Sequence, residues 1–222
     1  SEDTTKTPGA LTRAYGAPSP FEKLARAPVS VPFTSFTPLQ DLNGIITPSG
    51  LHFERHHNGV PQVDPRRYKL LMHGMVAKPM VFTLGDLKRY PAFSRIQFVE
   101  CSGNSGSGLV NPVANATAQS VHGLTSTSEW VGVLVSTILR EVKPDRSATW
   151  ALCESQDAAV MTRSIPMEKM WNDAMLAYGQ NGEAVRPEQG YPLRLLLPGY
   201  EGNANIKWIR RIKLGDKPFQ TR

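Results

Sequence analysis

Proline sets the limits of this fold. Eighteen of the 222 residues are proline and another eighteen are glycine, and each proline removes a backbone donor and blocks a helix interior. The apolar runs left between them are short. A chain punctuated in this way folds as strands and loops with a few short helices. Before residue 50 the prolines fall at Pro8, Pro18, Pro20, Pro28, Pro32, Pro38 and Pro48, which predicts an extended arm over residues 1–40 laid against one larger domain, 41–222.

The charge pattern narrows the partners. The net charge is +6, but the basic residues are scattered and no run of five or six like charges occurs, so nucleic acid is a weak reading. An anionic cofactor, an anionic substrate or an acidic partner protein accounts better for the excess. Two cysteines, Cys101 and Cys153, form no CxxC and exclude a disulfide scaffold or a zinc ribbon. No apolar run approaches the roughly 18 residues that span a bilayer. The first twenty residues lack an apolar signal core and read as a mature N-terminus or an arm.

Along the chain, Tyr68 to Val76 reads as a strand with Pro79 to Phe82 beside it. Thr83 caps a helix from Leu84 to Tyr90, with Asp86 in its first turn and Pro91 ending it. The apolar run Ile96 to Val99 has the pattern of a buried strand and stops at Glu100 and Cys101. Ser126-x-x-Glu129 has the form of a capping box, and it predicts a core helix through WVGVLVSTILREV with Trp130, Leu134, Ile138 and Val142 on one face. Thr149 to Cys153 follows as a strand, and Pro166 opens a helical turn as its first residue. MLAYGQNGE predicts a strand entering an Asn-Gly turn, and YPLRLLLPG a buried strand. In IKWIRRIKL, alternation places Ile206, Trp208, Ile212 and Leu214 on one face with Arg210, and Lys207, Arg211 and Lys213 on the other with Ile209.

Several residues suggest chemistry. Cys101 stands at a strand end before a loop of Gly, Ser and Asn that packs poorly as core but exposes backbone N–H groups, which suits a reactive or ligating thiol. A lone cysteine is more often a small buried hydrophobe, the reading that fits Cys153 inside its apolar run. His52, His56 and His57 invite a zinc site, but no Glu follows His52 as in HExxH, and Gly and Pro flank the segment; a cluster of two His and Arg55 on a loop suits an anion better. Arg194 interrupts an apolar run and needs either a carboxylate or an anionic group inside the fold. Asp157 reads alone as a turn residue, and Lys207 as part of a solvated face.

Taken in order, these stretches resemble the sulfite oxidase-type molybdoenzyme family. ITPSGLHFERHHNGVP is similar to the family segment that carries an Arg and a His where this chain has Arg55 and His57, and FVECSGN resembles its molybdenum loop. SIPMEKM, LAYGQNGE, QGYPLRLLLPG and IKWIRRI follow in the family's order, so the resemblance runs from about residue 40 to the end. It implies an α+β fold, a molybdopterin-binding domain of mixed β-sheets with short helices. The resemblance makes Cys101 the thiolate ligand of molybdenum and places Arg55 beside the metal as the residue that orients an anionic sulfur substrate. Phe53, Glu54, Arg55, His56, His57, Ser102, Gly103, Asn104, Asp157, Arg194, Asn205, Ile206 and Lys207 match cofactor-contacting positions.

Three departures refine the expectation. The family's second active-site Arg, five residues after the ligand Cys, is Gly106 here; Gln189 replaces a His at a cofactor position; and the chain ends at Arg222, before the family's dimerisation domain. Within the family the sequence is most similar to the molybdenum subunits of bacterial sulfane dehydrogenases. That branch implies oxidation of sulfane sulfur on a sulfur-carrier protein, transfer of electrons to a c-type cytochrome subunit in a hetero-oligomer, and a periplasmic location. Read without the resemblance, the residues leave open a metal-free cysteine-nucleophile enzyme and a strand-rich binding subunit without activity.

Overall fold

The computed structural model describes residues 3–221. In chain order its strands are β1 Ala27–Pro28, β2 Thr34–Phe36, β3 Glu54–Arg55, β4 Leu70–Gly74, β5 Met80–Phe82, β6 Phe93–Glu100, β7 Thr125–Leu134, β8 Trp150–Ser155, β9 Thr162–Pro166, β10 Met175–Gln180, β11 Glu183–Ala184, β12 Arg194–Leu196 and β13 Ile209–Gly215. The α-helices are α1 Leu84–Leu87, α2 Ala118–His122, α3 Val135–Val142 and α4 Met167–Asn172. Short strands and shorter helices are what the prolines allow.

Three sheets form among the described residues. β1, β2 and β3 make a small antiparallel one, which ties the end of the proline-rich segment to residues 54 and 55. β11, β10, β7 and β6 form the second, with β12 also on β10; β5, β4, β13, β8 and β9 form the third, where β4 and β13 run parallel. Helices α3 and α4 cover the third sheet and bury Ile138, Leu139, Val142 and Met170 against Leu70, Met72, Ala151, Cys153, Ile212 and Leu214. A smaller apolar cluster, Phe53, Val99, Leu124, Trp130, Met175, Ala177, Val185 and Leu196, lies between the small sheet and the second. Sites at sheet ends need such packing behind them, because side chains held by a close-packed core keep their rotamers.

Most predicted elements form, and the capping box of Thr83 and Asp86 is present at α1. The hairpin turn is also present, with Asn181 (φ 50°) and Gly182 (φ 79°) both left-handed. Four expectations change. Residues 125–134 are a strand: Ser126, Ser128 and Trp130 alternate inward, β6 and β10 pair with the two sides, and the helix begins only at Val135. The serines of the apparent capping box bond inward instead, Ser126 Oγ accepting from Phe53 N at 3.0 Å and Ser128 Oγ from Gln180 Nε2 at 3.0 Å.

The run Ile96 to Val99 lies in the edge strand β6 but is not buried: its alternation turns Ile96, 55% exposed, and Phe98, 51% exposed, to the outer face, and only Val99 turns inward. In the last strand a bulge opposite β8 between Ile209 and Arg211 breaks the alternation, so Ile209 and Ile212 are both buried and Arg210 reaches out to Glu154. Pro166 closes β9 and caps α4 instead of opening it.

β7 and β10 come very close at Gly132, where an added Cβ would lie 2.0 Å from Leu176 O and 2.7 Å from Ala177 Cα. Gly132→Ala is expected to destabilise the chain by about 1–3 kcal/mol in urea unfolding. Gly50→Ala, whose Cβ would meet nothing within 4 Å, is expected to stay within about 0.5 kcal/mol of wild type. Equal unfolding midpoints for the two variants would contradict the packing described for β7.

Candidate cofactor site

A cavity of about 290 Å³ opens where the ends of the sheets meet, lined by stretches from residues 52–57, 99–103, 155–163, 189–194 and 202–208. Cys101 projects from the end of β6 as a free, half-buried thiol. Its N–H donates to Leu124 O at 3.0 Å, and its Sγ accepts from Gly103 N at 3.4 Å. Glycines let the backbone close around it: Gly202 N donates to Glu100 O at 2.6 Å, and a Cβ on Gly202 would lie 3.3 Å from Cys101 Cα. Asn104 turns away from the cavity and shapes the loop, donating to Glu100 and Thr125 at 2.9 Å and accepting from Leu124 N at 2.9 Å.

Two cations share the cavity with the thiol. Arg194 is buried, donates to Gln189 O at 3.1 Å and to Asn205 O at 3.3 Å, and stacks its guanidinium 4.7 Å from the Trp130 ring centroid. Its Nε is buried without a hydrogen-bond partner. Lys207 Nζ donates to Arg55 O at 3.3 Å and Glu188 O at 3.1 Å and lies 2.7 Å from His56 Nδ1. Neither cation forms an ion pair among the described residues. They are brought together by Gly190, whose φ of 115° only glycine adopts freely and whose Cβ would press on both Arg194 Cβ and Lys207 Cα, at 3.0 and 3.1 Å.

The other predicted residues divide between wall and support. Phe53, Arg55, His56, His57, Ser102, Gly103, Asp157 and Ile206 line the cavity with Cys101, Arg194, Asn205 and Lys207. Asn205 also fastens its own turn, accepting from Leu197 N at 2.6 Å and donating to Glu201 O at 2.8 Å. Asp157 accepts from Ser155 Oγ at 2.8 Å, closing a tight turn. Glu54 stands behind the wall, 2.8 Å from His56 Nε2. Gln189, the residue at the altered family position, lines the cavity and donates to Phe53 O at 2.8 Å. His52, weighed in the sequence only as a zinc ligand, also lines it, as do Val99, Ser155, Met161, Arg163, Gly202, Asn203 and Trp208, which were not anticipated as site residues. Gly202 and Asn203 carried a readable signal, a Gly-Asn turn beside Asn205; Arg163, in the middle of β9, carried none. The three histidines do not gather with other His, Cys, Asp or Glu into a metal-binding group among the described residues.

Comparison with known proteins decides the family. A family model described as "oxidoreductase molybdopterin binding domain" matches residues 57–222. The chain belongs to this family. A crystal structure of the sulfane dehydrogenase SoxCD from Paracoccus pantotrophus superposes with a TM-score of 0.92 and 39% identity, covering 97% of this chain and 57% of that one. Mitochondrial sulfite oxidase of Drosophila melanogaster is 32% identical over 180 residues, 77% of this chain and 31% of the relative. The NADH nitrate reductase of Ulva prolifera is 29% identical over 206 residues, 85% of this chain and 24% of the relative. The chain thus spans about a quarter of the nitrate reductase. It is a SoxC-like member of the sulfite oxidase-type molybdopterin enzymes, and its cofactor is molybdopterin carrying molybdenum.

The cavity of this molybdopterin domain is electrostatically suited to an anion. Burial pulls the Arg194 guanidinium down to about 9, and burial together with Arg194 pulls the Lys207 ammonium down to about 7. Both cations are therefore held at a cost that an anion relieves, and the unpartnered Arg194 Nε supplies a donor for it. A phosphate-bearing pterin fits such a donor set.

His52, buried beside Trp130, is kept neutral: burial first and Arg194 second hold its imidazole at about 3. The unfolded chain binds a proton there between about pH 3 and 6.5 and the folded chain does not, so folding stability rises with pH through that window and is lost in acid. The slope from this group reaches about 1.4 kcal/mol per pH unit. Urea midpoints measured between pH 4 and pH 6.5 are expected to climb less steeply in His52→Gln than in wild type; parallel curves would show that His52 does not titrate on unfolding.

Proposed function

We propose that the cavity holds molybdopterin between Arg194, Lys207 and the 52–57 segment, with its molybdenum ligated by the Cys101 thiolate, and that the domain oxidises a sulfur compound. One observation carries this reading: Arg194 and Lys207 line a cavity without an ion pair to any carboxylate among the described residues, and a free thiol stands in the same cavity. An uncompensated charge in a poorly solvated wall costs several kcal/mol, so a site built this way stores affinity for an anion.

In this reading Phe53, His56, Gln189 and Ile206 form the wall against the pterin, and Asp157 and Asn205 hold the loops on either side. The loop residues Ser102 and Gly103 shape the thiol's surroundings, with Glu54 and Asn104 as supports. Bound there, the cofactor supplies two-electron oxygen-atom transfer to sulfur, chemistry that side chains alone do not provide. Half-buried Arg55 and exposed His57 lie on the solvent side of the wall, where a guanidinium orients an anionic sulfur substrate. Gly106 in place of a second arginine weakens capture of free sulfite and leaves room for sulfane sulfur on a carrier protein. The 39% identity to a sulfane dehydrogenase supports that substrate, as well as a c-type cytochrome partner, a hetero-oligomer and a periplasmic site of action. A nucleophilic cysteine acting without metal would need a base, whereas the hydrogen bond that Cys101 Sγ receives comes from the Gly103 amide.

The first test is molybdenum content by mass spectrometry of the full chain made in a cofactor-competent host. Near-stoichiometric metal is expected, and a metal-free protein would refute the reading. Cys101→Ser should abolish sulfur-dependent electron transfer, since a hydroxyl is a poor substitute for a soft thiolate; full turnover by this variant would remove Cys101 from the metal. Arg55→Gln should raise KM for the sulfur substrate about tenfold or more, the worth of one charge-assisted hydrogen bond, with a smaller effect on kcat. A higher kcat/KM for sulfite than for carrier-bound sulfane would make the domain a sulfite dehydrogenase.

A further inference from the structure

Arg26 lies in the proline-rich segment, before the matched family region begins, yet its guanidinium reaches the back of the cofactor wall. Nε donates to His52 O at 2.8 Å, one terminal nitrogen pairs with Glu54, and the other lies 2.6 Å from Glu188 Oε1. All three side chains are largely shielded, at 20%, 22% and 19% exposure for Arg26, Glu54 and Glu188. One cation thus holds two carboxylates.

Both residues neighbour Lys207, Glu54 through His56 and Glu188 through its backbone carbonyl. Glu54 meets His56 Nε2 at 2.8 Å, His56 Nδ1 lies 2.7 Å from Lys207 Nζ, and the Glu188 carbonyl accepts from the same Nζ at 3.1 Å. An ionised carboxylate only accepts, so Glu54 requires the proton on His56 Nε2; that tautomer leaves a lone pair on Nδ1 to accept from the lysine. Lys207 is consequently aimed by neutral acceptors although two negative charges lie within one or two residues of contact. Arg26 is what occupies them.

We propose that Arg26 is a positioning residue for the cofactor site: by engaging Glu54 and Glu188 it fixes the His56 tautomer and keeps both carboxylates from neutralising Lys207, whose charge stays free for the anionic cofactor. The proposal rests on the cofactor assignment. It also gives the segment before β1 a function, since Arg26 belongs to the site although it does not line the cavity. Without Arg26, either carboxylate is free to swing to the ammonium, and the cation that should meet the cofactor becomes an internal salt bridge.

The test is a double-mutant cycle on the full chain, read as the rate at which bound pterin is lost, followed by oxidised-pterin fluorescence and molybdenum content. Wild type is measured first: a wild-type chain that retains no pterin defeats the cofactor assignment and the proposal with it. Given retention, Arg26→Gln is expected to lose cofactor about 10-fold faster, in the range seen when outer supports of a metal site are removed. Arg26→Lys, which keeps the charge, is expected to recover part of that loss. In a Lys207→Gln background, Arg26→Gln should change the rate less than about twofold, because it acts through the lysine. A full 10-fold effect in that background, or no effect in the wild-type background, would overturn the proposal. Thermal midpoints of the cofactor-stripped variants separate loss of the fold from loss of the site: an Arg26→Gln chain that no longer folds, with Arg26→Lys behaving no better, would make Arg26 a strut and also overturn it.

Discussion

Two positive charges set close together in a poorly solvated wall are the constraint around which this domain is arranged. Burial disfavours the charged form of both Arg194 and Lys207, and Arg194 acts further on Lys207 and on His52. The fold answers with neutral acceptors and an aromatic face. Carbonyls of Gln189 and Asn205 receive the guanidinium, Trp130 lies under it, and Lys207 is met by two carbonyls and an imidazole nitrogen. Each of these partners orients a charge without cancelling it. That is how a protein keeps affinity for an anion in reserve.

The two apolar clusters divide the remaining work. The larger one, packed under α3 and α4, anchors the third sheet, in which β8 ends and β13 begins beside the cavity. The smaller one stands directly behind the site, and Trp130 belongs to both the packing and the electrostatics, as core filler and as the face on which Arg194 rests. Val99 and Leu124 hold the approach to Cys101 from the same cluster. Positioning of the thiol and of the cations is therefore linked through one small group of apolar contacts.

Much of this was legible in the sequence. Thr83 with Asp86, the Asn181–Gly182 turn, the buried Arg194 and the Cys101 loop are local signals, and local chemistry decided them. What misled was information carried by partners. Ser126-x-x-Glu129 has the spacing of a helix start, but Ser126 and Ser128 are satisfied by Phe53 N and Gln180 from distant parts of the chain, so the segment remains a strand. The parity of the last strand depends on a bulge set by its neighbour β8, which no alternation within IKWIRRIKL records. Ile96 and Phe98 look like core in sequence because apolar character does not tell which face of a strand is covered. Lys207, read alone as a solvated face, enters the site because Gly190 lets a separate loop approach it.

The placement of Cys101 at the end of β6 gives its position a local rather than a global stability. β6 is an edge strand, paired through eight residues to β7 alone among the described strands, so opening the end of that ladder together with the Gly202–Glu100 bond moves the thiol without unfolding the larger core. Opening events of that kind cost less than global unfolding and are more frequent. In a chain without cofactor, the sulfur that should bind metal is then held at the end of a single ladder, and its chemical lifetime against oxidants is governed by how often that end parts.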